Sequence, residues 1–246
     1  MTTADAPLLE LRDATVRYGA TPALTGASLA VRAGELVAVV GRNASGKSTL
    51  LRALAGLVPC EGGLRPEPTP ERVAFVPQRP EVAADFTARE VVRLGRHAVG
   101  PDERAVQGAL EAVGLAGRAE TAVHAMSGGE RQRVAVARAF AQLDGGGVLL
   151  LDEPFAGIDP GEVARLAAAL AARARRGAVV VSLHDPGLAR AIATRAVAVA
   201  GGRIVADGVA DAVLSPDRLT GVYGHEIVDR AAWLSPRLDG ADRMGS

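Results

Sequence analysis

Gly41-Arg42-Asn43-Ala44-Ser45-Gly46-Lys47-Ser48-Thr49 follows the continuous apolar run Leu36–Val40 and opens a stretch of helical spacing over residues 47–57. Strand, glycine loop and helix in that order are the context a G-x-x-x-x-G-K-[ST] phosphate loop requires. Glycine at 41 and 46 lets the backbone close around phosphate oxygens, and the N–H groups opening the helix face negative charge. Ser48 offers a hydroxyl to Mg2+. The chain has 28 basic residues, and Lys47 is its only lysine. A compact ammonium on a flexible stem reaches the β- and γ-phosphates where a planar guanidinium fork does not fit. The stretch predicts nucleoside triphosphate binding.

Outward from the loop, residues 8–16 and 27–31 read as further strands, punctuated by Gly19, Pro22 and Gly34. Residues 59–70 are rich in Pro, Gly and Glu and read as a surface connection. A short strand over 73–76 follows, then Pro77-Gln78. Helical spacing over 87–98 and 102–113, separated by Gly100-Pro101, predicts a small helical insert. Ser127-Gly128-Gly129-Glu130 fits a capping box, so a helix is expected from there to about Gln142. Residues 148–151 and 178–183 are two more continuous apolar strands. Residues 197–200 and 203–206 flank Gly201-Gly202 as a hairpin. The tail from Tyr223 carries no clear signal.

Composition narrows the function classes. At 246 residues the chain suits one large α/β domain with an inserted subdomain. Its 28 basic and 28 acidic residues cancel, which argues against a general nucleic-acid binder. Cys60 stands alone, so no internal disulfide or cysteine-rich zinc site can form. Met1-Thr2-Thr3-Ala4-Asp5 lacks the basic and apolar regions of a signal peptide. No apolar run approaches the ~20 residues that span a bilayer, and the Ala-rich segment 163–177 is broken by Arg173, Arg175 and Arg176 into an amphipathic pattern. The expectation is a cytoplasmic protein whose membrane role, if it has one, comes through another chain.

Two strand ends carry further chemistry. Asp152, after the apolar run 148–151, is placed to hold Mg2+, and Glu153 beside it to polarise the attacking water. His184 ends the run 178–183. Parallel strands end on one edge of such a sheet, where ligands bind, so His184 is expected on the same rim as Glu153 and Lys47, in contact with the γ-phosphate. His97, His124 and His225 have no such placement. Tyr18 reads equally as a core aromatic or as an exposed ring that stacks on a base.

With these residues in order, the chain resembles an ATP-binding-cassette (ABC) ATPase. Met126-Ser127-Gly128-Gly129-Glu130-Arg131-Gln132-Arg133 resembles that family's signature motif. Around it fall a Walker A loop (41–49), a Q-loop glutamine (Gln78), a Walker B run (148–153), a D-loop (Ala156-Gly157-Ile158-Asp159), a switch histidine (His184) and an aromatic A-loop residue (Tyr18). Ala44 stands where the family often has glycine, and Met126 where leucine is usual. The resemblance covers residues 8–225. It implies an α/β P-loop NTPase fold: a RecA-like core with an antiparallel β subdomain over 8–79 and 138–222, a helical signature subdomain over 80–137, and a tail over 223–246.

It also implies the chemistry. Glu153, His184, Gln78 and Asp159 would act in catalysis. ATP would lie on Tyr18, Gly41, Asn43, Ala44, Ser45, Gly46, Lys47, Ser48 and Thr49. Ser127, Gly128 and Gly129 would close on the γ-phosphate of a second cassette, so a homodimer is implied. Ser48, Gln78 and Asp152 would hold Mg2+. The family further implies integral membrane permease subunits, a substrate-binding protein, and a place on the inner face of the membrane. The segment 86–96 looks like cassettes of metal-chelate importers (siderophore, haem or cobalamin), whereas 152–159 resembles zinc and manganese importers. An exporter, another nutrient importer or a DNA-repair cassette is the alternative. A GTPase reading fails because Asn-Lys-x-Asp needs a second lysine. Repair and chromosome-organising cassettes carry long coiled-coil or zinc-bearing insertions, which the interval from Walker A to signature lacks.

Overall fold

In the computed structural model, which describes residues 6–80, 85–143 and 146–224, the chain builds two sheets. β1 (Leu9–Tyr18), β2 (Thr21–Val31) and β4 (Glu61–Arg65) form a three-stranded antiparallel sheet in the order β2-β1-β4. β3 (Leu36–Val40), β5 (Val73–Val76), β6 (Val148–Asp152), β7 (Ala178–Leu183), β8 (Arg195–Ala200) and β9 (Arg203–Val209) form a six-stranded sheet in the order β5-β6-β7-β3-β8-β9. Its pairs are parallel apart from the β8–β9 hairpin at one edge.

The continuous apolar runs now have a cause. Successive side chains of a strand point to opposite faces, and β3, β6 and β7 are buried on both. Leu36, Ala38, Val40, Leu149, Leu151, Val179 and Val181 enter one core, whereas Val37, Val39, Val148, Leu150 and Val180 enter the other. Each buried Val or Leu contributes roughly 1.5–3 kcal/mol. These three strands therefore fix the frame that carries the loops at their C-terminal ends.

One core is closed by α1 (Lys47–Leu54), through Leu50, Leu51 and Leu54, together with Leu9, Leu11 and Leu29 of the small sheet. The other is closed by α2 (Ala88–Leu94), α3 (Glu103–Ala112), α4 (Gly128–Gln142), α5 (Pro160–Ala174), α6 (Pro186–Ile192), α7 (Ala210–Val213) and α8 (Pro216–Tyr223). α2 and α4 each begin in a capping box, Thr87 with Glu90 and Ser127 with Glu130. Such caps contribute about 1 kcal/mol each. α4 packs on α2 and α3 and reaches β5 further along, so residue 137 lies inside an unbroken helix.

Several sequence expectations need correction. Residues 59–70 are not merely a surface connection, because they contain β4. Its five residues, Glu-Gly-Gly-Leu-Arg, sit on the edge of the small sheet and are half-buried at best, so no apolar alternation marks them. The first helix stops at Leu54 rather than 57, since Gly56 takes φ 69° and ends it. The two insert helices are likewise shorter than the spans 87–98 and 102–113. α8 went unforeseen. Met1–Asp5 and the tail beyond Gly224, with His225, lie outside the described residues. Among the described residues no helix is long and apolar enough to cross a membrane.

Candidate functional site

β3 delivers the chain to Gly41, where a β-carbon would lie 2.2 Å from the Val199 carbonyl oxygen on neighbouring β8. Only glycine lets the loop leave the sheet so close to that strand. The loop then turns through Ala44 at φ 60° and enters α1 over Gly46. An alanine in left-handed conformation costs about 1 kcal/mol, which explains why glycine is the easier residue there. From behind, the Gly202 N–H donates to the Ser45 carbonyl at 2.9 Å, and Thr25 N–H donates to the Gly202 carbonyl at 2.8 Å. The hairpin turn thus buttresses the loop.

α1 starts with no side-chain cap and no acidic residue in its first turn. Its first N–H groups are open to an anion, and its dipole favours one. Lys47 is buried, and Nζ donates to the Gly41 carbonyl at 2.9 Å and the Arg42 carbonyl at 3.0 Å. Burial holds its pKa below the ordinary lysine value, while Glu153 and Asp152 pull the other way. The lysine is therefore close to both carboxylates, in a place that disfavours its charge until an anion arrives. Ser45 Oγ is also buried there without a protein partner. A loop shaped around an oxyanion fits all three observations.

The opposite wall is built from β6 and β7. Asp152 pairs in register with Ser182, and the Ser182 hydroxyl donates to Asp152 Oδ1 at 2.6 Å while accepting the Glu153 N–H at 2.9 Å. Glu153 takes φ 50°, a strained value for a residue with a side chain. Both of its carboxylate oxygens are engaged: His184 Nε2 meets Oε1, and Gln78 Nε2 donates to Oε2 at 2.5 Å. Gln78 and His184 are exposed, whereas Asp152 and Glu153 are buried. This leaves one acidic centre sheltered behind two exposed side chains.

Among the predicted residues, the fold brings Lys47, Asp152, Glu153, Gln78 and His184 together on one rim. Ser48 and Asp152 offer oxygen donors, and the Gln78 amide, whose nitrogen is directed to Glu153, has its carbonyl besides. This hard donor set suits Mg2+ shared with phosphate oxygens. Among the described residues no three His, Cys, Asp or Glu converge as an all-protein metal cage.

Other predicted residues stand apart. Ser127 caps α4, its hydroxyl accepting from Glu130 N–H at 3.1 Å and lying against the Glu130 carboxylate. A β-carbon at Gly129 would lie 2.7 Å from the Gly157 carbonyl, so the 127–129 segment and the 156–159 loop form one surface. Asp159 opens α5 without capping it and is exposed. Among the described residues no hydrogen bond ties Ser127–Gly129 or Asp159 to the Glu153 cluster. Asn43 is exposed at the lip of the loop, and Thr49 is buried beneath it. Tyr18 is 50% exposed at the end of β1. That geometry favours a stacking ring over a core aromatic. Tyr18→Ala is expected to weaken ATP binding about tenfold, since a stacked base is worth roughly 1–3 kcal/mol, and to leave pyrophosphate binding unchanged. Equal ATP affinity in titration calorimetry would make Tyr18 a structural residue.

Two neighbours of the site escaped sequence reasoning. Ser182 left one signal, a hydroxyl inside an otherwise apolar strand two residues before His184. Tyr223 left none. It closes α8, packs against the helical core, and brings its phenol to the Gly41 backbone. Burial raises its pKa, Gly41 offsets part of that, and Asp185 adds to it.

A family model described as ABC transporter matches residues 24–156. The chain is 43% identical over 232 residues to the hemin import ATP-binding protein HmuV of Nocardia farcinica, covering 86% of this chain and 80% of that one. It is 37% identical over 234 residues to the cobalamin import ATP-binding protein BtuD of Halobacterium salinarum, covering 87% of this chain and 58% of that one. A solved ATP-binding subunit of an ABC transporter superposes with a TM-score of 0.75 at 27% identity, covering 89% of this chain and 95% of that one.

Proposed function

Since the chain belongs to the ABC transporter family and is one of its ATP-hydrolysing subunits, we propose that it drives import of a metal tetrapyrrole, haem before cobalamin, through a separate membrane permease. The observation that carries the cargo reading is the 43% identity to a hemin import subunit across 86% of the chain. The BtuD relative's cobalamin is also a metal chelate. The relatives named above favour a chelate over bare zinc or manganese.

In this reading Lys47 and the α1 N-terminus bind the β- and γ-phosphates, and Gly41 to Thr49 wrap them. Tyr18 stacks on the adenine. Ser48, Asp152 and Gln78 would hold Mg2+, which would supply charge neutralisation at the γ-phosphoryl. Glu153 takes a proton from the attacking water as its oxygen bonds to the γ-phosphorus and the bond to ADP breaks. His184 orients the Glu153 carboxylate and faces the γ-phosphate. Gln78 donates to Glu153 Oε2, which links the base to the segment after β5.

The site is half of a composite. Ser127, Gly128 and Gly129 lie at a helix N-terminus, and Asp159 is exposed beside them, yet none is hydrogen-bonded to the Glu153 cluster of its own chain. A second copy, packed head to tail, brings them to the γ-phosphate. The permease docks near Gln78 and the helices of 88–112, a binding protein supplies the cargo, and the assembly lies on the inner face of the membrane.

The test is to purify the chain with its membrane permease and to measure ATPase in proteoliposomes with cargo-loaded binding protein. Haem is expected to raise turnover several-fold, cobalamin less, and free Zn2+ or Mn2+ not at all. Stimulation by a bare metal alone would reverse the cargo assignment.

A further inference from the structure

We propose that Ser182 is a positioning residue for ATP hydrolysis, holding the Glu153 base and the Asp152 carboxylate in fixed relation through one buried hydroxyl. The inference rests on the roles given above to Glu153 and Asp152.

The hydroxyl is fully buried and makes two hydrogen bonds of opposite sense. The Glu153 amide can only donate, so Ser182 Oγ must accept there, at 2.9 Å. Its own proton is then free for one acceptor, and Asp152 Oδ1 lies 2.6 Å away. The proton has no alternative placement, so the carboxylate is oriented by a donor that cannot rotate off.

Strand parity explains why the serine is where it is. Ala178 and Val180 of β7 face the core that α1 closes, while Val179, Val181 and Leu183 face the helical core. Alternation puts Ser182 on the α1 side, toward the phosphate loop, and His184 follows at the same parity. On β6 the same parity carries Val148, Leu150 and then Asp152. Parallel register sets Asp152 opposite Ser182. The end of β7 therefore grips Glu153 at two points, its amide through Ser182 and its carboxylate through His184 Nε2.

The two-point grip accounts for a conformation the chain would not otherwise adopt. Glu153 turns at φ 50°, where a residue with a β-carbon is rarely found. This turn swings the carboxylate away from the strand line toward Gln78 and His184. Without an acceptor for its N–H at that point, nothing in the strand ladder holds the turn, because β6 ends at Asp152. Alanine or valine, the residues that fill β7 before Ser182, would leave both groups unheld.

The test uses the full chain as wild type, Ser182→Ala, Ser182→Thr and Glu153→Gln. Melting temperature, ATP affinity in EDTA and in Mg2+, and steady-state turnover are measured on each. Ser182→Ala is expected to keep its EDTA affinity and its KM within about twofold while kcat falls about tenfold, the usual effect of removing an outer partner of a site. The gain in ATP affinity on adding Mg2+ should shrink by a similar factor of about ten. Ser182→Thr, which keeps the hydroxyl on a residue that strands accept, is expected to recover kcat to within about threefold. Should the extra methyl prevent folding, Ser182→Cys replaces it; the weak thiol donor should leave kcat with the alanine variant.

A kcat in Ser182→Ala within twofold of wild type overturns the inference, as does a loss that EDTA affinity follows in step. Wild-type kcat in Ser182→Cys overturns it as well. If Glu153→Gln is inactive and Ser182→Ala is normal, only this inference fails. If Glu153→Gln turns over normally, the base assignment fails and the inference falls with it.

Discussion

Glu153→Gln is expected to bind ATP with near wild-type affinity and to hydrolyse it at least ~100-fold more slowly, the lower end of what a general base contributes. The substitution keeps the shape and the amide N–H, so the bond to Ser182 survives. It changes what the side-chain end can do. The carboxylate accepts from Gln78 at one oxygen and meets His184 at the other. A carboxamide has one acceptor and one donor end, so it cannot accept from both neighbours, and no atom remains that can take a proton from water. ATP should then persist in the site and hold two copies together. Size-exclusion chromatography with ATP is expected to show a dimer that wild type forms only transiently. Near-normal phosphate release in a single-turnover assay would remove Glu153 from the mechanism.

Lys47→Ala is expected to reduce ATP affinity by roughly 100-fold, in the range found when one partner of a buried charged pair is removed, and with it ATP-driven dimer formation. The fold should tolerate the change, because burial already places this ammonium below its ordinary pKa. In the free chain the fold disfavours its charged form, and bound phosphate reverses that preference. The sign follows directly. ATP should bind best where Lys47 is protonated and lose affinity as pH rises through the free chain's Lys47 pKa, at a pH below the ordinary lysine value of 10.5. Lys47→Ala should show no such loss. Lys47→Arg is not expected to rescue binding, since a longer, planar fork cannot replace one ammonium between the Gly41 and Arg42 carbonyls. An arginine variant with wild-type affinity would reduce the position to simple positive charge.

Much of this site was legible along the chain because its chemistry is local. A phosphate loop needs a strand, two glycines, a lysine and a hydroxyl within nine residues, and 41–49 supplies them in order. Asp152-Glu153 and His184 each follow an apolar run, and parallel strands deliver such ends to one rim. The capping box at Ser127–Glu130 was equally readable, since a cap is a contact between neighbours. β4 was not, because an edge strand buried mainly by its partner β1 needs little apolar pattern of its own. The exposure of Tyr18 was likewise undetermined, since its ring suits a core or a surface until the sheet beneath it is placed.

What the sequence by itself determined is therefore an inventory of groups: a phosphate loop with its single lysine, two carboxylates, a histidine, and a segment resembling the cassette signature. Only the tertiary structure decided how these are held. It set Ser182 across from Asp152 by parallel register, turned Glu153 to φ 50°, closed Gln78 and His184 over its carboxylate, and brought Tyr223 to the back of Gly41. The physical reason is distance along the chain. Contacts within a few residues leave a periodic or motif trace, whereas Gln78 and Glu153 are separated by 75 residues and Ser182 and Asp152 by 30. Such pairs meet only after two cores have packed on either side of one sheet.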